Sequence, residues 1–108
     1  KTVSVEAKDI KLILKEHGPF DFIKMDIEGA ESTVVPECKG LLGEVKFFFC
    51  EYHSTKSDDQ YLDVLISFFK EEGFRVHMQP ITFGEQPFMA TPNKLGYDMQ
   101  SNIFAFRE

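Results

Sequence analysis

Apolar and polar positions change period several times along this chain, and each change predicts an element. Thr2-Val3-Ser4-Val5-Glu6 alternates β-branched and polar residues, which predicts a short strand of the edge type. From Asp9 to His17 the apolar residues Ile10, Leu12, Ile13 and Leu14 crowd together, a short helix that Gly18-Pro19 stops. Phe20 to Ile27 is almost continuously apolar and fits a strand covered on both faces, as in a parallel sheet. Gly29 to Leu42 has helical character but contains Pro36. A proline inside a helix costs about 3 kcal/mol, which predicts a first segment ending near Val35 and a new turn or kink at Pro36. Glu44 to Tyr52, with Phe47-Phe48-Phe49 at its centre, predicts a second buried strand, again covered on both faces.

Ser54 to Asp59 is a polar loop, and Ser57 with Gln60 has the spacing of a capping box. The helix after it carries Tyr61, Leu62, Leu65, Ile66, Phe68 and Phe69 at spacings of three and four, with Gly73 where a left-handed cap falls. Phe74 to Met78 alternates as a strand, residues 79–100 hold Pro80, Gly84, Pro87, Pro92 and Gly96 and read as a long loop, and Asn102 to Phe106 closes the chain as a strand. Strands alternating with helices predict an α/β domain of three layers with a mostly parallel sheet. The last two strands lack a helix between them, so they pair antiparallel.

Composition narrows the partners. With 108 residues the chain is a single α/β unit or part of one. Its net charge of −6 argues against a nucleic-acid backbone or an anionic membrane as partner. No apolar run approaches the ~18 residues of a membrane-spanning helix. Phenylalanine supplies 12 residues and tryptophan none, which reads as a Phe-rich core. Cys38 and Cys50 are too few for a disulfide scaffold and lack Cys-x-x-Cys spacing, so they read as small, partly buried side chains of a reducing, cytoplasmic compartment. His17, His53 and His77 are too scattered to suggest a zinc site. The chain starts at Lys1 with no leader after it, the expectation for a processed end or a cut inside a longer chain.

Ligands of open α/β sheets bind beyond the carboxyl ends of the parallel strands. Those ends are Asp26-Ile27-Glu28 and Glu51-Tyr52-His53. Strand alternation puts Asp26 and Glu28 on one face, and likewise Glu51 and His53. If the two strands are neighbours, three carboxylates and an imidazole gather. Such a cluster either holds a divalent cation, through Asp26 and Glu51, or tunes one member as a general base by like-charge repulsion. The plainer reading makes Glu28 and Glu31 complements of a helix N-terminus, worth about 0.3–1 kcal/mol each. It is the stronger reading for Glu31, whereas Asp26 at the end of an apolar strand points to function. His53 reads equally as a site residue or as a loop residue with its ring in water.

Asp21-Phe-Ile-Lys-Met-Asp-Ile-Glu-Gly-Ala-Glu31, followed by Cys50-Glu-Tyr-His53, resembles the FkbM family of S-adenosylmethionine-dependent methyltransferases. The match covers Lys24, Asp26, Glu28, Gly29, Ala30 and Glu31, and extends to the spacing of Glu51 and His53. Upstream, only Asp9 of a segment common in the family is present, and Pro36-Glu37 replaces a frequent Lys-Gly pair. The resemblance implies the C-terminal half of a Rossmann-like class I methyltransferase fold. In it, residues 21–27 form strand four, residues 44–52 form strand five, and 74–78 with 102–106 form the terminal antiparallel pair. It implies that Asp26, Glu28 and His53 are catalytic, that Asp26 lines the cofactor cleft, and that the acceptor is a hydroxyl of a sugar or natural product. The glycines, at 18, 29, 40, 43, 73, 84 and 96, form no Gly-x-Gly. The main S-adenosylmethionine loop is therefore expected outside this chain, leaving the fragment inactive alone, with the open edge of strand 21–27 either driving self-association or covered by the N-terminal strand folded over it. A non-catalytic α/β binding module is the alternative. The loop over 79–100 reads as an acceptor lid or as a connector.

Overall fold

In the computed structural model, residues 9–27, 29–81, 88 and 96–108 are described. The chain runs α1 (Ile10–His17), β1 (Phe22–Met25), α2 (Glu31–Val34), a 3-10 turn (Val35–Cys38), β2 (Phe47–Thr55), α3 (Leu62–Glu71), β3 (Arg75–Ile81) and β4 (Tyr97–Phe106). The four strands form one mixed sheet in the order β1-β2-β4-β3. β1 and β2 pair parallel, and β4 lies antiparallel to both β2 and β3. The α/β class and the antiparallel closing pair are as expected, but among the described residues the sheet is mixed and not mostly parallel, since only β1 and β2 pair parallel. The strand expected over residues 2–6 lies outside the described residues.

Local chemistry accounts for most boundaries. The Asp9 carboxylate accepts the Lys11 N–H at 2.9 Å and caps α1. Pro36 falls at the start of the 3-10 turn, where its missing N–H costs no helical bond. At the end of α3, Gly73 adopts φ +90°. Its N–H bonds the Lys70 carbonyl at 3.1 Å and that of Phe74 bonds the Phe69 carbonyl at 2.9 Å, a Schellman cap. The expected capping box is not used. The Tyr61 N–H instead donates to the Tyr52 hydroxyl at 2.7 Å, and the Gln60 amide donates to Ser54 Oγ at 3.0 Å. The neighbouring strand thus satisfies the start of α3. The region read as a loop over 79–100 is shorter than expected, because β3 continues to Ile81 and β4 begins at Tyr97. Pro80 is tolerated in β3 because that strand forms a sheet edge.

One face of the sheet is the core. Phe48, Cys50 and Tyr52 of β2 and Ile103 and Ala105 of β4 are buried with Leu65, Phe68 and Phe69 of α3 and with Val35 and Cys38. Phe48 and Phe69 meet at a 5.0 Å centroid distance, and Phe69 meets Phe74 edge-on at 6.1 Å. The opposite face carries Phe22, Phe47 and Phe106 in one register row and Lys24, Phe49, Phe104 and His77 in the next. Phe22 is 58% and Phe47 53% exposed, so cover on both faces of the Phe47-Phe48-Phe49 run does not hold among the described residues. There the helices form a single layer on the sheet.

Arg107, just past β4, locks the base of the core. Its guanidinium donates to the carbonyls of Val45 at 2.9 Å, Glu72 at 2.5 Å and Leu42, and lies 4.1 Å from the Phe74 ring centroid. These contacts tie the end of α3 to the loop before β2. Arg107→Lys keeps the charge but loses the planar fork. Unfolding in urea is expected to show a loss of about 2 kcal/mol, from carbonyls left without a donor.

Candidate functional site

β1 and β2 are neighbours in parallel register, Met25 opposite Cys50. The chain past Met25 therefore brings Asp26 alongside Glu51, the juxtaposition that the alternation argument required. Ligand atoms of Asp26, Glu51 and His53 all lie within 4.8 Å of one another. Asp26 is at the mouth, its side chain 38% exposed, while that of His53 is only 6% exposed. His53 is thus a buried strand residue and not a loop residue with its ring in water. Glu28, the fourth expected member, lies outside the described residues.

The arrangement turns on Glu31, which sequence reasoning placed as a helix-terminus complement. That reading is half the finding. Glu31 opens α2, and its Oε2 accepts the Gly29 N–H at 2.9 Å across a turn in which Gly29 takes φ +108°. Yet Glu31 is completely buried, and its Oε1 is 3.1 Å from both the backbone N and the ring Nδ1 of His53. A buried carboxylate needs such donors. With Nδ1–H donating to Glu31, the other ring nitrogen, Nε2, is turned toward Asp26 Oδ1 at 3.9 Å. Tyr97 packs on the ring at a centroid distance of 4.9 Å.

β4 supplies the side chains that sequence spacing did not reveal. Gln100 stands opposite His53 and Asn102 opposite Glu51. The Gln100 amide donates to Glu51 Oε1. The Glu51 carboxyl is raised above its ordinary range, chiefly by a hydrogen bond shared with the Asp26 carboxyl, then by burial and the Asp26 charge. Finding Gln100 and Asn102 requires the β2–β4 register, which no local pattern encodes.

In the core, Cys38 and Cys50 are buried free thiols. Burial, with nearby carboxylates, pushes Cys38 up to about 11 and Cys50 up to about 12 from 9.0. Both are therefore neutral at physiological pH and poor nucleophiles.

A mixed α/β sheet with a carboxylate–imidazole cluster beyond its parallel strand ends has the layout in which open α/β domains place their ligand sites. Residues 1–76 match the family model of the methyltransferase FkbM domain, and the chain belongs to that family. No curated protein and no solved structure gives a significant match. Among the described residues, no helix is long and apolar enough to cross a membrane.

Two outcomes are expected. Glu31→Gln replaces one acceptor oxygen by a donor facing N–H groups, so urea unfolding should report a loss of about 1–3 kcal/mol, although size is unchanged. The folded thiols keep protons that unfolded ones release, so stability should decline as pH rises from about 9 toward 12. Below that window the thiols of the native chain should resist a thiol reagent that labels both cysteines in guanidinium.

Proposed function

We propose that this chain is the C-terminal part of an S-adenosylmethionine-dependent O-methyltransferase domain, acting on a hydroxyl of a sugar or natural product. The observation that carries the reading is the line Glu31–His53–Asp26. Family membership supports methyl transfer, and this line supports a hydroxyl acceptor, because a hydroxyl must lose its proton as it is methylated.

S-adenosylmethionine, when bound, supplies a methyl group on a positively charged sulfur. The acidic row at the strand ends suits a cationic group, and Asp26 at its mouth is the residue of this chain assigned to the cofactor's side. The Gly-x-Gly element is not in this sequence. Asp26 orients the acceptor hydroxyl, and His53 Nε2 takes its proton. Glu31, bonded to Nδ1, holds the imidazole in the tautomer that leaves Nε2 able to accept, and stabilises the imidazolium that results. Glu28 is assigned an assisting role on the family motif alone.

The same reading makes the chain one part of a larger domain of three layers. β1 and β2 take the places of strands four and five, β3 and β4 those of the terminal pair, and the Phe22–Phe47–Phe106 row is the seat of the missing layer. Isolated, the chain is inactive and associates with itself through the edge of β1, which pairs with no further strand among the described residues. Buried free cysteines support a reducing, cytoplasmic setting. A non-catalytic binding module is the second reading, favoured by the exposed phenylalanine face.

Calorimetric titration of S-adenosylmethionine into this chain and into a longer stretch of the parent reading frame tests the proposal. Binding by the longer protein alone is expected, with self-association of the short chain, and not of the long one, in sedimentation velocity. His53→Ala in the longer protein should lower kcat by about 10²–10⁴ while cofactor binding persists. A longer protein that binds no cofactor removes the enzyme reading and leaves the binding module.

A further inference from the structure

The register rows of the uncovered face are graded along the strands. Phe22, Phe47 and Phe106 make the first row, and Lys24, Phe49, Phe104 and His77 the second. Glu51, Asn102 and Gln79 make the third row, with Asp26 beside Glu51 just past the end of β1. Paired residues of neighbouring strands share a face. The third row is therefore where acidic and amide oxygens converge, and His53 stands in the row after it.

We propose that Asp26, Glu51 and His53 hold a divalent cation at the carboxyl ends of β1 and β2. Two carboxylate oxygens and an imidazole nitrogen within 4.8 Å of one another match the spacing of ligand atoms around one ion. Two observations outside the carboxylates point the same way. His53 is buried by more than nine-tenths at its side chain, and its Nδ1 is taken by Glu31, leaving Nε2 turned to Asp26 at 3.9 Å. A carboxylate behind a ring nitrogen is the usual support of a histidine that ligates metal through its other nitrogen. Asn102 Oδ1, on the strand position opposite Glu51, is sealed from solvent and has no hydrogen-bond partner among the described residues. An amide oxygen in that condition is a ready further donor to a hard cation.

The donor set selects the ion. Two carboxylates with one imidazole suit Mn²⁺ or Zn²⁺ better than the all-oxygen shells of Ca²⁺. Three protein ligands leave coordination positions for water or for an oxygen of a small molecule. An ion there also removes the conflict between two adjacent carboxylates. The site rests on this geometry alone. With an ion bound, His53 Nε2 is a ligand and not the base assigned above, and the acceptor hydroxyl, made more acidic by the ion, would lose its proton to water.

Mn²⁺ alone, titrated into this chain and followed by the electron paramagnetic resonance of the free ion, tests the proposal. One site is expected, with amide NMR broadening centred on residues 25–27, 51–53 and 100–102. Asp26→Asn and Glu51→Gln should each weaken binding at least tenfold. Glu31→Gln, a positioning change, should weaken it by about 10–100-fold with the circular dichroism spectrum retained. Glu71→Gln removes the same charge at the end of α3 and should leave the affinity unchanged. Equal affinity in Asp26→Asn and the parent chain overturns the site, as does broadening scattered over the acidic surface. So does failure of both Mn²⁺ and Zn²⁺ to bind at about 1 mM, the weak end of protein cation sites. None of these outcomes bears on cofactor binding by the longer protein, so the two proposals fail separately.

Discussion

A completely buried carboxylate is the constraint on which the rest of this structure turns. Glu31 accepts from the Gly29 N–H, the His53 N–H and the His53 ring, and each of those bonds fixes a different part of the chain. The first closes the turn between β1 and α2. The second ties α2 to the carboxyl end of β2. The third sets the ring of the one imidazole in the cluster. An unpaired charge in that position costs several kcal/mol, so each of the three contacts helps to offset the burial of the carboxylate. Stability and the readiness of the site are, in this corner of the molecule, the same set of bonds.

The sheet divides its labour between faces and along its length. Toward the helices, Phe48, Cys50, Tyr52, Ile103 and Ala105 make a closed core. The other face begins with phenylalanines at the amino ends of the parallel strands and finishes with acids, amides and His53 at the carboxyl ends. A single nine-residue strand, β2, therefore contributes to the core, to an apolar surface and to the polar cluster by alternation alone.

Much of this was legible in the residues. The apolar runs at 20–27 and 44–52 located β1 and β2, and the turn chemistry at Gly18, Pro36 and Gly73 located the ends of the helical segments. Asp26, Glu51 and His53 were found because strand alternation carries over directly into which side chains share a face. What was missed depends on long-range pairing. Tyr52 capping α3, Gln100 bonding Glu51, and Arg107 reaching Leu42, Val45 and Glu72 join residues far apart in sequence. The inward turn of Glu31 was missed for another reason. A glutamate opening a helix has a sufficient local explanation, and local patterns cannot separate a solvated one from a buried one.

The position of β4 governs the order in which the chain assembles. The last strand in sequence is central in the sheet, flanked by β2 and β3. Its pairing with β3 joins sequence neighbours, while its pairing with β2 spans α3 and β3. Loop-closure entropy favours the nearer contact first, so the β3–β4 hairpin is expected to precede its docking against β2. Until that docking, β2 has a bare edge and Phe48 lacks its cross-strand neighbour Ala105. The polar cluster is then incomplete as well, since Gln100 and Asn102 arrive only with β4. The cluster is thus the product of the final long-range step, and the interval before it is when the chain is most exposed to strand exchange with a copy of itself.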